Sequence, residues 1–196
     1  PQGRNLMLRQ SQGTLICDQR QNLALGSLEE GATHILFLDT DMRFPKDTLD
    51  RLLAHDKPIV AANYATRRMP CKPVAFANDH DWTNVYTYAD SSGLEKVCAI
   101  GMGVMLIKRE VFEAMKLPFF AIGYSAQSRN YVGEDIYFCR MARKAGFDVL
   151  VDHDLSKDVS HIGTYEYTHD LAVAELESSD GTDDLQRAED GNRLAA

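Results

Sequence analysis

Three sets of side chains, far apart along the chain, have the types and spacing that chemistry uses. The first is Asp39-Thr40-Asp41, at the exit of the apolar run Ile35-Leu36-Phe37-Leu38. Two carboxylates one residue apart repel each other unless something positive sits nearby, and a divalent cation with oxygen ligands meets that need. The plainer reading is a polar turn in which one Asp caps the following helix. The second set is Gly133-Glu134-Asp135, at the start of a helical pattern. Acids in a first helical turn also occur for the helix dipole alone. The third is His161, in the short apolar-flanked segment Val159 to Gly163. A lone histidine is more commonly an ordinary hydrogen-bonded residue.

Other positions could touch a ligand. The loop Asn63 to Pro73 carries Arg67, Arg68 and Lys72, which suit a phosphate or a sugar, or simply a solvated basic loop. Trp82 lies among Asp79, His80, Asp81 and Asn84. An aromatic face amid hydrogen-bonding groups suits a sugar ring, although a Trp more often packs. Gly101-Met102-Gly103 interrupts a strand pattern, and two such glycines mark close approach by a ligand or another backbone.

These residues need a frame, and the rest of the chain describes one. Its 196 residues are enough for one domain with a sizeable core, or at most two small ones. Net charge is -8, of which the stretch from Glu177 onward, with six acidic and two basic residues, carries half. The body is therefore only mildly acidic, which argues against an extended nucleic-acid or anionic-membrane surface. The four cysteines, Cys17, Cys71, Cys98 and Cys139, form no Cys-x-x-Cys pair, so a structural zinc site is not expected. Cys98 and Cys139 lie in apolar runs and read as buried thiols. No apolar run approaches 18 residues and no signal-peptide pattern is seen, so a cytoplasmic protein without a membrane span is expected. The chain opens at Pro1 rather than Met, as a piece of a longer protein would.

Periodicity and punctuation give the elements. A short strand is expected at Thr14 to Cys17, then a helix from Gln19 to Glu30 capped by Asp18 and stopped by Gly31. The strand Ile35 to Leu38 follows. A helix from Thr48 to His55, capped by Asp47, leads to a strand at Ile59 to Ala62. This alternation is the signature of a parallel α/β sheet. Residues 74–88 read as a strand, loop and part of a hairpin. Strands are expected at Lys96 to Ile100 and Val104 to Ile107, then a helix from Lys108 to Met115. Phe119 to Val132 reads as a mobile loop over a site. A helix from Ile136 to Ala145, with Phe138, Met141 and Ala142 on its apolar face, is stopped by Gly146. A strand at Phe147 to Val151, a polar stretch at Asp152 to Ser160 and a helix between Tyr165 and Leu176 complete the domain, over residues 1–176. Residues 177–196 read as an acidic, loosely ordered tail.

In this order, the motifs resemble those of a glycosyltransferase of the GT-A fold, of the broad family-2 type. The matching segments are Gln19-Arg20-Gln21-Asn22, the strand ending Leu38-Asp39-Thr40-Asp41, and Gly101-Met102-Gly103-Val104-Met105-Leu106-Ile107. Gly133-Glu134-Asp135 follows the Asp-x-Asp pair about 95 residues later, and His161-Ile162-Gly163 comes about 26 residues beyond that. The resemblance covers roughly residues 14–168. It implies a Rossmann-like, mixed but mostly parallel sheet flanked by helices. Only 38 residues precede Asp39, fewer than is usual in the family, so the N-terminal part that binds the nucleotide base is expected to be shortened.

The resemblance also implies roles. Asp39 would face the donor's ribose or the metal. Asp41 would bind Mn2+ or Mg2+, with His161 as a further ligand, and the metal would bridge the diphosphate of a nucleotide-sugar. Asp135 would be the general base that deprotonates an acceptor hydroxyl, giving inversion, and Glu134 would position the acceptor or Asp135. The donor is expected against Arg20, Asn22, Asp39, Thr40 and Arg67. The carbohydrate or other hydroxyl acceptor is expected against Trp82, Gly101, Met102, Gly103 and Glu134. Three other functions compete. A haloacid-dehalogenase-type phosphatase also has Asp-x-Asp after an apolar strand, but uses a later Lys and an acidic pair at a strand end. A nucleotidyltransferase would want a Gly-rich phosphate loop near the N-terminus, which the sequence lacks. A nucleotide- or carbohydrate-binding module of the same fold, with weak or no turnover, is the non-enzymatic reading.

Overall fold

The computed structural model describes residues 5–78, 82–125, 129–164, 166–174 and 176–177. The tail from Ser178 onward and the Trp82 neighbours Asp79, His80 and Asp81 lie outside the described residues.

The first element is the helix α1 (Ile16–Glu29). It begins where a strand was expected at Thr14 to Cys17, so Asp18 sits in its first turn rather than at its cap. The helix stops as predicted: Gly31 adopts φ +84° and its N–H donates to the Leu28 carbonyl at 3.1 Å, a conformation that costs an L-residue with a side chain more than glycine. The strand β1 (His34–Leu38) follows, then the two-residue strand β2 (Met42–Arg43), the helix α2 (Thr48–Ala54) and β3 (Ile59–Ala61). Asp47 makes no side-chain cap on α2. The Thr48 hydroxyl instead donates to the Pro45 carbonyl at 2.7 Å. After β4 (Ala75–Phe76), β5 (Leu94–Val97) and β6 (Ala99–Ile100) come β7 (Val104–Lys108) and α3 (Arg109–Ala114).

The stretch expected to be a mobile loop divides in two. Phe119 and Phe120 are core residues, 5% and 3% exposed, and the N–H groups of both donate to Gln21 Oε1 on α1. Beyond them β8 (Gly123–Ser125) pairs antiparallel with β9 (Asn130–Val132), which runs straight into α4 (Glu134–Lys144). Then come β10 (Val149–Asp152), the short helix α5 (His153–Ser156), β11 (Ser160–Ile162) and β12 (Glu166–Tyr167). Sequence reading missed α5 because its segment is polar. It forms because the Asp152 carboxylate accepts from the Leu155 N–H at 2.9 Å and caps the turn. The last helix starts later than expected: β12 precedes helical residues 169–174.

The main sheet has the order β1-β7-β3-β10-β5. Its β3–β10 pairing is parallel, whereas β1–β7, β7–β3 and β10–β5 are antiparallel. The sheet is mixed, as expected, but three of its four pairings are antiparallel rather than most of them parallel, because β7 is inserted between β1 and β3. A helical crossover leaves β1 and β3 pointing the same way but does not require them to touch. Side chains alternate across this sheet. Ile35, Phe37, Ile59, Met105, Ile107 and Val149 face one core with Phe112 and Phe138, from α3 and α4. Leu36, Val60 and Leu106 face the other with Leu52 of α2 and Leu155 of α5. Helices thus cover both faces, and the core is a three-layer α/β sandwich. Cys71, Cys98 and Cys139 are buried, and Cys17 is half-buried.

Candidate active site

The β1–β7 ladder ends at the register Leu38↔Val104. One further bond, from the Asp39 N–H to the Gly103 carbonyl at 2.9 Å, carries the pairing past the strand, and the chain then turns, the Met42 N–H donating to the Asp39 carbonyl at 3.2 Å. The Asp-x-Asp pair is therefore a reverse turn at the carboxyl end of β1. The next two residues form β2, which pairs antiparallel with β11 in the register Met42↔His161. The Ile162 N–H also donates to the Asp41 carbonyl at 2.7 Å. This small sheet brings the distant histidine to the acidic turn.

His161 Nε2 lies 3.4 Å from Asp41 Oδ2, and its Nδ1 lies 3.2 Å from the Ala65 carbonyl. A carbonyl only accepts, so Nδ1 carries a hydrogen. In the neutral ring Nε2 then offers a lone pair toward a carboxylate oxygen. Two acceptors in that relation need a proton or a cation between them. A backbone carbonyl fixing the far nitrogen is also the outer partner typical of metal-ligating histidines. Arg67 Nη1 meets the same Asp41 oxygen at 2.9 Å. Among the described residues no group of three or more His, Cys, Asp or Glu side chains is arranged around a cation position. A carboxylate with phosphate oxygens and water completing the shell is a common way to hold Mg2+, and Asp41 with the neighbouring His161 would offer a cation one oxygen and one nitrogen ligand.

A second cluster is organised by Arg20. Its side chain, 5% exposed, reaches from α1 under the acidic turn. Nη2 donates to Asp39 Oδ1 at 2.8 Å and Oδ2 at 3.1 Å, and Nη1 donates to the Met102 carbonyl at 3.2 Å. Nε lies 3.1 Å from Glu134 Oε1, close enough for ion pairing although its N–H is not aimed at that oxygen. The guanidinium sits 5.8 Å from the centre of the Phe37 ring. The Asp39 carboxylate is thus paired with Arg20, whereas Asp41 is the acid of the pair that faces His161. Arg20, expected to touch the donor, is buried and joins α1, the end of β1 and α4.

Asp135 follows Glu134 in the first turn of α4. Its Oδ1 accepts from the Ile136 N–H at 2.7 Å. The side chain folds back over Gly133, where a Cβ would stand 2.7 Å from Oδ1. Burial, and then the negative charge of Glu134, raise its pKa from 3.8 to about 6, against the opposing pull of nearby N–H groups and Arg20. A carboxylate with that value is a competent base near neutral pH.

Tyr64 joins the two clusters, and sequence reading missed it. Its hydroxyl accepts from the Gly103 N–H at 3.0 Å, and its ring meets the His161 ring edge-on at 5.4 Å. Burial, and then the charge of Asp39, push its ionisation upward, so it stays a neutral phenol. Gly101 and Gly103 signalled a close approach, and the neighbour that makes it is this tyrosine. A Cβ on Gly103 would lie 2.8 Å from Tyr64 Cζ, and one on Gly101 would lie 2.6 Å from its hydroxyl oxygen. Gly103→Ala is expected to cost about 1–3 kcal/mol through overpacking, read as a lower urea midpoint at unchanged slope. A midpoint equal to that of the wild type would mean that Tyr64 shifts freely.

The other expected contacts are scattered. Asn22 is on the exposed side of α1, bonded to Asp18 at 3.3 Å, and Thr40 is exposed at the turn. Met102 is 1% exposed and takes part through its carbonyl. Trp82 packs edge-on against Phe76 at 5.3 Å, with the Arg140 guanidinium 5.5 Å from its ring.

No protein-family model matches this chain, and no curated protein matches its sequence. Among solved structures, it is similar to one described as the crystal structure of A197 from STIV. That likeness has a TM-score of 0.53 and 19% identity, over 79% of this chain and 71% of that one. At this identity it shows a shared α/β fold alone. Among the described residues, no helix is long and apolar enough to cross a membrane.

Proposed function

We propose that the protein is a metal-dependent glycosyltransferase of the GT-A fold, which transfers a sugar from a nucleotide-diphosphate sugar to an acceptor hydroxyl with inversion. The observation that carries this reading is the meeting of Asp41 and His161 at the end of β1, on the turn that also carries Asp39 and the Arg20 cluster. Held by Asp41 and His161, Mn2+ or Mg2+ would neutralise charge developing on the leaving diphosphate. Asp135 takes the proton of the acceptor hydroxyl as that oxygen attacks the anomeric carbon. The bond from that carbon to the diphosphate breaks, and the leaving group keeps the electron pair. Glu134 and Arg20 hold the start of α4 so that Asp135 keeps its place. The Ala65 carbonyl keeps His161 in the tautomer whose Nε2 can act as a ligand.

A panel of nucleotide-sugars, tested by thermal shift with and without Mn2+, examines this reading. A true donor at a hundredfold its Kd is expected to raise the melting temperature by about 5–10 °C. The shift is expected to vanish in excess chelator and in Asp41→Ala. A shift that survives both treatments rejects the metal site. Slow release of nucleoside diphosphate identifies an enzyme, whereas binding without release across a range of acceptors identifies a binding module.

A further inference from the structure

Arg67 pairs with the carboxylate at which a cation is wanted. Its Nη1 is 2.9 Å from Asp41 Oδ2, the oxygen that His161 Nε2 faces at 3.4 Å. The side chain is 47% exposed, so it can leave without opening the core. Its loop is closed at the base: the Thr66 N–H donates to the Lys72 carbonyl at 2.8 Å, and the Lys72 N–H donates to the Thr66 hydroxyl at 3.2 Å. Arg67 lies just inside this closure, so a swing of its side chain moves the charge while the loop base stays. A guanidinium makes a good partner for a carboxylate and an equally good one for a phosphate.

We propose that Arg67 is the resident counter-cation of Asp41 in the free protein and changes place with the metal, moving to the diphosphate that arrives with it. The proposal rests on the reading of Asp41 and His161 as cation ligands. Metal alone must displace Arg67 and leave it without a partner. Metal arriving with a diphosphate frees Asp41 and gives Arg67 a new anion. The two ligands are therefore coupled, each improving the affinity for the other. Arg67 acts against premature loading of bare metal and in favour of the metal–diphosphate pair.

The test is titration of Mn2+ alone, followed by the electron paramagnetic resonance of the free ion, in wild type, Arg67→Gln and Asp41→Asn. Calorimetric titration of Mg2+-pyrophosphate accompanies it, a probe that carries the diphosphate without a base or sugar. Arg67→Gln is expected to bind bare Mn2+ about fivefold more tightly than wild type, the scale of one half-exposed ion pair. It is expected to bind Mg2+-pyrophosphate about tenfold more weakly, for the lost charged contact. Bare Mn2+ binding in Arg67→Gln equal to or weaker than wild type, with Asp41→Asn still losing it, overturns the exchange and leaves the metal site standing. Mn2+ binding undiminished in Asp41→Asn, or absent from every protein with and without pyrophosphate, overturns the metal reading and the exchange with it.

Discussion

Arg20→Met is expected to lower folding stability by about 3–5 kcal/mol, the cost of removing one partner from a buried ion-pair cluster. Methionine roughly fills the space but leaves Glu134, nearly buried, without its cation, and Asp39 without two hydrogen bonds. The Met102 carbonyl loses its donor as well. Arg20→Lys is not expected to rescue the loss. One ammonium cannot reach Asp39, Glu134 and the Met102 carbonyl along the three directions of a guanidinium. Urea unfolding of both variants reads the effect directly. A midpoint within experimental error of wild type would show that the cluster is structurally idle. Arg20 also lowers the pKa of Asp135, so the acid limb of activity in Arg20→Met is expected to move to higher pH.

Asp135→Asn is expected to reduce transfer by about 10²–10⁴-fold, the usual contribution of a positioned base, and to leave donor affinity unchanged. It is also expected to make the protein more stable at pH 8. The folded-state value of about 6 lies above the reference of 3.8. Between those values the folded protein keeps a proton that the unfolded chain has lost. The stability this group contributes is therefore full below about pH 3.8 and lost as pH rises through about 6. Asparagine never ionises, so at pH 8 it avoids a cost of roughly 1–3 kcal/mol. In wild type, transfer is expected to fall tenfold per unit below about pH 6 as Asp135 protonates. Transfer by Asp135→Asn at the wild-type rate would remove Asp135 as the base. A loss of transfer together with a lower melting temperature would point to a structural role instead. The opposed signs of the two effects keep the outcomes apart, as in other sites where function strains the fold.

Much of the frame was legible because its signals are local. The run Ile35 to Leu38 reads as a strand from its own apolar residues, of which Ile35 and Phe37 are buried, and the glycine stops at Gly31 and Gly146 needed only their own backbone. The helix of Asp135 was legible from its apolar face, and starts two residues earlier than expected because the acids belong to its first turn. The start of α1 was misread because Leu15, Ile16 and Cys17 look alike to a strand and to a helix. The placement of β7 between β1 and β3 was not legible, since which strands become neighbours depends on packing across the whole sheet.

The candidate site divides along the same line. By itself the sequence determined which groups could act: two acids at a strand exit, two more at a helix start, and a late histidine. Those identities follow from residue types and short spacings. Tertiary structure alone decided that Arg20 claims Asp39, that Arg67 and His161 converge on Asp41, and that Tyr64 fills the space above two glycines. It also left Trp82 on Phe76 and Asn22 facing solvent. The physical reason is that a charge's partner is set by which chain segments pack side by side, and in this fold those segments are far apart in the sequence.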